Sequence, residues 1–145
     1  MIDKFEGRYR FLSNFYPSSV KLDGEVYPTV EHAYQAAKTL KRGERKRIRE
    51  AETAGNAKKL GRKLKLRPWW DSMRLEVMES LLRQKFRKGQ LRQALLDTGN
   101  EELVEGNWWG DTYWGVCNGR GENHLGKLLM KIRKELRNEE KEGRN

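Results

Sequence analysis

The chain has 145 residues, with 36% apolar and 36% charged side chains. This length predicts one domain over residues 1–138, followed by a charged, frayed tail over 139–145. The longest uncharged apolar run is far shorter than the roughly 20 residues that span a bilayer, which excludes an integral membrane protein. Charges near the start, where a signal peptide is apolar, favour a cytoplasmic protein. Cys117 is the only cysteine, so an internal disulfide is excluded, and two histidines leave little material for a zinc site.

The net charge of +10 is concentrated in one segment. Residues 38–67 contain 13 Lys or Arg and 3 Asp or Glu, whereas the other 115 residues have 18 of each sign. We call residues 38–67 the basic segment. Such a segment attracts phosphates or nucleic acid in a salt-dependent way. The alternative is a solvated helical surface that only aids solubility.

The first half of the chain predicts a hairpin and three helices. Val20 and Leu22 alternate with polar residues before Asp23–Gly24, which is typical of a two-residue antiparallel hairpin turn. Apolar spacing then predicts a helix from about Thr29 to about Leu40. The basic segment predicts two short helices, one over about Arg45–Glu52 and one from Thr53 to near Gly61.

The second half predicts three more helices. The first is capped by Asp71 or Ser72 after Pro68, the second covers about Gln90–Leu96, and the last begins near Asn123. The core-facing residues of the first are Leu75, Met78, Leu82 and Phe86, widened by Val77 and Leu81, and those of the last are Leu125, Leu128, Leu129, Ile132 and Leu136. Residues 105–121 are rich in Gly and Trp and predict a structured loop. The fold class is therefore α+β and predominantly helical, with a small β-hairpin near the N-terminus.

Three groups of residues could support chemistry. On the first long helix, Glu31, Tyr34 or Gln35, and Lys38 recur every three or four residues and so project from one side. Glu31 could instead only complement the helix dipole, with Lys38 an ordinary surface lysine. The loop around Asp111 is the second group, because it places three tryptophans and a tyrosine beside one carboxylate. Aromatic faces there suit stacking on a base or sugar, although aromatic residues also fill cores.

The third group, residues 119–127, nearly matches the phosphate-binding pattern GxxxxGK followed by Ser or Thr. Leu128 replaces the hydroxyl residue and no strand precedes the pattern, so we interpret the match as accidental. A weaker expectation remains: glycines that lead into a helix N-terminus present N–H groups that can bind an anion. His124 is more typical of a packed or solvent-facing histidine than of a catalyst.

Several motifs together resemble one protein family. Tyr9–Pro17 (YRFLSNFYP) and Tyr27–Lys38 (YPTVEHAYQAAK) are similar to the FLSNFYP and YPSVEHAYQAxK signatures of the YbiA-like or NADAR domain. The similarity continues in the same order over nearly the whole chain, through Lys85–Phe86, Leu103–Gly106, Asp111, Trp114–Gly115 and Asn123–Met130, and ends at Arg133. A single motif would be weak, but the ordered set is specific.

The resemblance implies an enzyme that cleaves the N-glycosidic bond between a nitrogen base and a ribose carrying phosphate or ADP. Known family activities are hydrolysis of phosphoribosylated intermediates of riboflavin biosynthesis and removal of ADP-ribose from guanine in DNA. By resemblance Glu31 takes the acidic position, Asp111 and Trp114 take the DxxWG position, and Lys38 matches the family lysine. Trp108 and its neighbour precede Asp111 where the family often has small or polar residues.

The chemistry of these residues agrees with that class. Cleavage develops positive charge on the ribose and negative charge on the leaving base, so a carboxylate and a proton donor assist it. Glu31 and Asp111 are one candidate pair. In the competing route Lys38 attacks the sugar as a Schiff-base nucleophile, which requires a lowered pKa. Neither route needs a metal or a cofactor. A non-catalytic module that binds ADP-ribose or NAD, and a basic nucleic-acid-binding protein, are the alternatives from other classes.

The candidate catalytic residues are thus Glu31, Asp111 and Lys38. The candidate substrate-binding residues come from the resembling motifs and the aromatic loop: Arg10, Phe11, Ser13, Asn14, Tyr16, Tyr34, Trp108, Trp114, Gly115 and Asn123. The expected partner is an ADP-ribosyl or phosphoribosyl nucleotide, with DNA as an alternative carrier of it, and no membrane. The sequence does not define the oligomeric state.

Overall fold

A computed structural model describes residues 1–143. It contains six α-helices, one 3-10 helix and two small sheets within those residues. The predicted fold class, α+β and predominantly helical with an N-terminal hairpin, is confirmed. The chain folds into two compact units. The first unit is Asn14–Lys85, and the second is Met1–Ser13 together with Phe86–Asn145.

The first unit begins with the predicted hairpin. Strands β1 (Val20–Leu22) and β2 (Glu25–Tyr27) pair antiparallel, with Val20 opposite Tyr27. Asp23 and Gly24 have φ values of 49° and 84°, so both turn residues lie in the left-handed region, as a type I′ turn requires. Val20 and Tyr27 are buried, and they attach the hairpin to the core of this unit.

Helix α1 (Val30–Ala37) is the core of the first unit, because all eight of its residues are buried. The Thr29 hydroxyl caps it by accepting the N–H of His32 at 3.0 Å. The His32 ring lies between Thr29 Oγ1 (2.7 Å from Nδ1) and the carbonyl of Ala51 (3.0 Å from Nε2). A carbonyl only accepts, so Nε2 carries the proton and Nδ1 faces the hydroxyl. This contact joins α1 to the segment between the next two helices.

Helices α2 (Arg42–Arg49) and α3 (Ala54–Arg62) pack on α1 and bury little of themselves. α2 begins three residues before its predicted start and buries only Ile48. α3 is capped by Thr53 as predicted, and its buried residues are all small: Ala54, Ala57 and Gly61. A Cβ at Gly61 would lie 1.8 Å from Gln35 Oε1, so α3 approaches α1 closely at this glycine, and a larger residue would displace the Gln35 side chain.

Helix α4 (Trp70–Phe86) begins at Trp70, so the predicted caps Asp71 and Ser72 lie inside its first turn. Met78, Leu81, Leu82 and Phe86 are buried as predicted. Leu75 is 37% exposed and Val77 is half-buried, so the predicted apolar stripe is wrong at its N-terminal end. Trp70 supplies the buried apolar surface there instead.

The second unit contains the 3-10 helix Gly7–Leu12, α5 (Gly89–Asp97), the parallel strands β3 (Gly106–Asn107) and β4 (Val116–Cys117), and α6 (His124–Gly143). Near the N-terminus, the backbone of Ile2 bonds that of Glu102 and Val104, each at 2.8 Å. Leu125, Leu129, Ile132 and Leu136 of α6 are buried as predicted, whereas Leu128 is only half-buried.

α6 continues through residues 139–143, which the sequence assigns to a frayed tail. Arg92 of α5 forms ion pairs with Glu139 and Glu140, at 3.1 and 3.2 Å, and these hold that stretch of helix. Residues 144 and 145 lie outside the described residues. The domain boundary at residue 138 stays a prediction.

Candidate active site

Helix α1 brings the first predicted group together. Glu31 is buried, and the side-chain amide of Gln35 one turn later donates to Glu31 Oε1 at 3.4 Å. The backbone N–H of Glu31 donates to the carbonyl of Asn14 at 3.1 Å, so the predicted substrate-binding motif is attached to the start of α1. Within the described residues the buried Oδ1 of Asn14 has no hydrogen-bond partner. The amide nitrogen of the same side chain donates to Met78 Sδ at 3.4 Å.

Lys38 caps the other end of α1 in an unusual electrostatic setting. Burial is the main cause that lowers its pKa, and the nearby cations Arg62, Lys58 and Arg74 lower it further, against the opposing effect of Glu31. Lys38 is therefore more often a neutral amine near neutral pH than an exposed lysine is.

Aromatic rings pack next to Lys38. The Lys38 ammonium lies 5.6 Å from the centre of the Tyr34 ring, and the Tyr34 ring lies 5.4 Å from that of the buried Trp70 at an angle of 53°. Tyr34 is itself buried. The predicted set of Glu31, Tyr34 and Lys38 thus forms one continuous group within the first unit.

The remaining residues of the FLSNFYP motif divide between the units. Arg10, Phe11 and Ser13 belong to the second unit, where Arg10 is exposed and the other two are half-buried. Tyr16 belongs to the first unit, where its ring lies 5.7 Å from the ammonium of Lys85. Their assignment to substrate binding stays a prediction.

In the second unit Asp111 organises the Trp-rich loop. Its Oδ1 accepts the backbone N–H groups of Tyr113 (3.0 Å) and Trp114 (2.9 Å). Asn107 closes the same loop, because its side chain accepts the Asp111 N–H at 3.0 Å and donates to the Asp111 carbonyl at 2.9 Å. One carboxylate oxygen of Asp111 is therefore occupied by the backbone. Its catalytic role and its pairing with Glu31 stay predictions.

The aromatic residues of this loop have two different settings. Trp114 is half-buried and packs edge-to-face on Tyr113, whose ring also contacts His124 at 4.5 Å. Trp108 is 84% exposed, with Trp109 edge-on at 5.7 Å. Only the exposed pair resembles a surface platform, whereas Trp114 is part of an aromatic cluster with a defined geometry.

Gly115 and Asn123 have structural roles. A Cβ at Gly115 would lie 2.2 Å from the carbonyl of Glu105, so the loop packs too closely for a side chain. Asn123 is buried, donates to the carbonyl of Leu103 at 2.9 Å and accepts the N–H of Glu105 at 3.0 Å. The amide oxygen and the amide nitrogen of Asn123 each make one bond inside the protein, which gives the residue a structural role, and its assignment to substrate binding stays a prediction.

The expectation of an anion site at the start of α6 is wrong. The N–H groups of His124 and Leu125 donate to the carbonyls of Tyr113 and Trp114, at 3.1 and 3.0 Å. The aromatic loop therefore occupies the donors that an anion would need. Gly126 is buried within the helix, which agrees with an accidental GxxxxGK match.

Not all of the basic segment is available to a ligand. Arg45 bonds Asp23 at 2.7 Å and the carbonyl of Thr39 at 2.7 Å, and Arg49 pairs with Glu25 at 3.8 Å. These two arginines attach α2 to the hairpin. The exposed cations of the segment are Lys41, Arg42, Lys46, Arg47, Lys59, Arg62, Lys63 and Lys65.

Two negative findings apply to residues 1–143. No group of three or more His, Cys, Asp or Glu side chains is placed to hold a metal ion there. Across the same residues, every helix is too short or too polar to cross a bilayer.

Comparison with known proteins identifies the family. The NADAR domain model matches residues 3–137. The chain belongs to the NADAR domain family. A protein of Shigella flexneri serotype 5b (strain 8401) named N-glycosidase YbiA is 41% identical over 132 residues, which are 88% of this chain and 82% of that protein. The NMR structure of the E. coli protein YbiA has a TM-score of 0.82 and 38% identity, and the match covers 97% of this chain and 89% of that one.

A second kind of NADAR relative is a longer protein. The Riboflavin biosynthesis protein VVA0006 of Vibrio vulnificus (strain YJ016) is 39% identical over 130 residues, which are 87% of this chain and 35% of that protein. The family domain is thus also found within a larger chain. The relatives' names support an N-glycosidase family.

Three residues of the first unit that lie next to predicted site residues, or next to a neighbour of one, were not identified from the sequence. Trp70 lies against Tyr34, Lys85 lies over Tyr16, and Trp69 is 83% exposed beside Trp70. Lys85 could have been found from the sequence, since Lys85–Phe86 is part of the family pattern. The two tryptophans could not, because neither lies in a motif or in the helical spacing of apolar residues.

Proposed function

We propose that this protein is an N-glycosidase that hydrolyses the bond between a nitrogen base and a ribose carrying phosphate or ADP. The observation that supports this most strongly is the buried carboxylate of Glu31 on the same helix face as the desolvated amine of Lys38. A pocket that only binds anionic phosphates gains little from a buried carboxylate, so the arrangement favours catalysis over the alternative of a non-catalytic ADP-ribose-binding module.

In the carboxylate route, Glu31 stabilises the positive charge that develops on the ribose as the bond to the base breaks. The base leaves with the bonding electron pair and takes a proton, and water adds to C1′. Asn14 is bonded through its main-chain carbonyl to the Glu31 N–H, and its buried Oδ1 has no partner among the described residues, so it is a candidate acceptor for a hydroxyl group of the sugar.

In the lysine route, the neutral amine of Lys38 adds to C1′ while the base departs with its electron pair and a proton. Opening of the ribose ring at the C1′–O4′ bond then gives a Schiff base, which water hydrolyses to release the sugar and restore the amine. The lowered pKa of Lys38 favours this step, because only the unprotonated amine is a nucleophile. Glu31 would then accept or return protons.

The two routes predict different responses. Glu31→Gln should lower turnover at least about a hundredfold in either route, without unfolding the protein, because glutamine is nearly isosteric. Borohydride should trap the wild-type enzyme covalently on substrate only in the lysine route, and Lys38→Arg should abolish that trapping. Because the Glu31 charge raises the pKa of Lys38, the trapping rate of Glu31→Gln should reach its plateau at lower pH than that of wild type.

The substrate is the second question. The name of the Vibrio relative favours a phosphoribosylated intermediate of riboflavin biosynthesis, and the basic segment favours an ADP-ribosylated base in DNA. Incubating the protein separately with the aminopyrimidine ribose phosphate and with DNA carrying ADP-ribosyl guanine, and measuring the released base or ADP-ribose, distinguishes them. Release from neither substrate by wild type, with ADP-ribose still bound, would support the binding module instead.

A further inference from the structure

Trp69 has an unusual position for a tryptophan. It is 83% exposed, and its φ of 66° lies in the left-handed region, which disfavours bulky side chains. Its carbonyl accepts both the N–H (3.1 Å) and the hydroxyl (2.9 Å) of Ser72 at the start of α4. The backbone is therefore fixed by local bonds while the indole remains in solvent.

The segment that carries Trp69 is attached to the candidate active site. The N–H of Arg67 donates to the carbonyl of Lys38 at 2.8 Å, and the next tryptophan, Trp70, packs on Tyr34. Trp69 also lines a shallow surface pocket of about 380 Å³, formed by Leu66, Arg67, Trp69, Trp70, Asp71 and Ser72. An exposed aromatic face is thus present, within one unit, on a segment that is bonded to the backbone of Lys38.

The charge of the surroundings favours a partner with many phosphates. The exposed cations Arg62, Lys63 and Lys65 lie four to seven residues before Trp69, so a short stretch of chain holds them near the indole. The basic segment has an excess of ten positive charges. A free nucleotide with one or two phosphates uses few of them, whereas a strand with one phosphate per nucleotide matches an extended basic surface.

We propose that Trp69 stacks on a base of a single DNA strand, next to the nucleotide whose glycosidic bond is cleaved, while Arg62, Lys63 and Lys65 contact its phosphates. This inference rests on the proposed function only for the position of the cleaved nucleotide. Stacking on an aromatic ring accepts any base, and cations contact any backbone, so the strand is bound with little sequence preference.

Binding of a fluorescently labelled, unmodified 12-nucleotide single strand, measured by anisotropy at low salt, tests the inference. Trp69→Ala should weaken binding about 5- to 150-fold, the usual range for loss of one stacked base. Trp69→Phe keeps an aromatic face and should retain most of the affinity, whereas Trp69→Leu should behave like Trp69→Ala. Heparin, a polyanion without bases, should bind all four proteins equally. Circular dichroism confirms that each variant is folded.

The phosphate contacts are tested by salt titration. Lys63→Gln/Lys65→Gln should reduce the slope of log affinity against log salt by about 1.4, which is two contacts at about 0.7 each for a single strand. The matched control is Lys134→Gln/Lys141→Gln, two exposed lysines of α6, which should leave the slope unchanged.

Three results would overturn the inference. The first is equal affinity of Trp69→Ala and wild type for the strand. The second is an equal loss of affinity for free ADP-ribose, which would place the base of the small nucleotide on Trp69. The third is weaker heparin binding by Trp69→Ala than by wild type, or saturable binding to anionic lipid vesicles that depends on Trp69. Either result would assign the surface to another partner. Binding of the unmodified strand needs no catalysis, so failure of the proposed glycosidase activity would not produce any of these results.

Discussion

Lys85 couples the stability of the protein to pH. Its side chain is almost completely buried on α4, with its ammonium 5.7 Å from the Tyr16 ring. Burial lowers the pKa of Lys85 from its ordinary value of 10.5 to about 7. In the unfolded chain this lysine is protonated below pH 10.5, so unfolding between pH 7 and 10.5 takes up a proton. The free energy of unfolding should therefore fall as pH falls through this window, and level off below about pH 7.

The magnitude follows from the width of the window. Each pH unit changes the free energy by about 1.36 kcal/mol for one proton, so the full window corresponds to about 5 kcal/mol. Between about pH 7.5 and 9, the titration of Lys85 should raise the free energy of unfolding by about 2 kcal/mol. Urea denaturation of wild type and Lys85→Met at several pH values measures this. The wild-type free energy should rise more steeply than that of the variant, because methionine fills a similar volume and does not titrate.

The slopes are compared because Lys85→Met also removes the contact between the cation and Tyr16, which shifts the whole curve. Lys134→Met, at an exposed position of α6, is the matched control and should keep the wild-type slope. Parallel curves for wild type and Lys85→Met over the same pH range would refute the reasoning, since the buried lysine would then hold its proton in both states.

Three further changes have outcomes that the structure defines. Gly126→Ala should destabilise the fold by about 2 kcal/mol or more in urea, because its Cβ would lie 2.1 Å from the carbonyl of Leu103. Asn123→Ala should cost about 2–4 kcal/mol by the same assay, because the buried backbone groups of Leu103 and Glu105 lose their partner. Trp114→Ala should weaken nucleotide binding by about 1–3 kcal/mol in calorimetry if it stacks on substrate; loss of thermal stability with unchanged affinity would instead assign it to packing.

Local signals in the sequence were sufficient for most helices and for the hairpin. Asp23–Gly24 predicts the hairpin turn because few other residue pairs adopt its left-handed backbone conformations. The threonines at 29 and 53 predict helix starts because their hydroxyls accept backbone N–H groups of the first turn. The spacing of Glu31 and Lys38 also placed both on one side of α1. These features depend on residues within a few positions of each other, which a sequence pattern records directly.

Features that depend on tertiary packing were not predictable. The pattern for α4 favoured Leu75 as a core residue, but the core at that end is filled by Trp70, which precedes the periodic stretch. The glycines before α6 indicated free N–H donors, yet the aromatic loop some ten residues earlier supplies carbonyls to them. The lowered pKa of Lys38 likewise depends on burial in the folded unit and on cations some 20 to 36 positions away, namely Lys58, Arg62 and Arg74.

The reciprocal bonds between Asn107 and Asp111 have a consequence for how such a protein can diversify. They close a small ring of backbone from which only residues 108–110 project, and all three are exposed. New side chains at Trp108 or Trp109 meet solvent rather than the interior, so they should cost the fold little. Residues 108–110 can therefore be substituted, which changes the exposed surface of the loop, while Asp111 and the aromatic cluster keep their geometry.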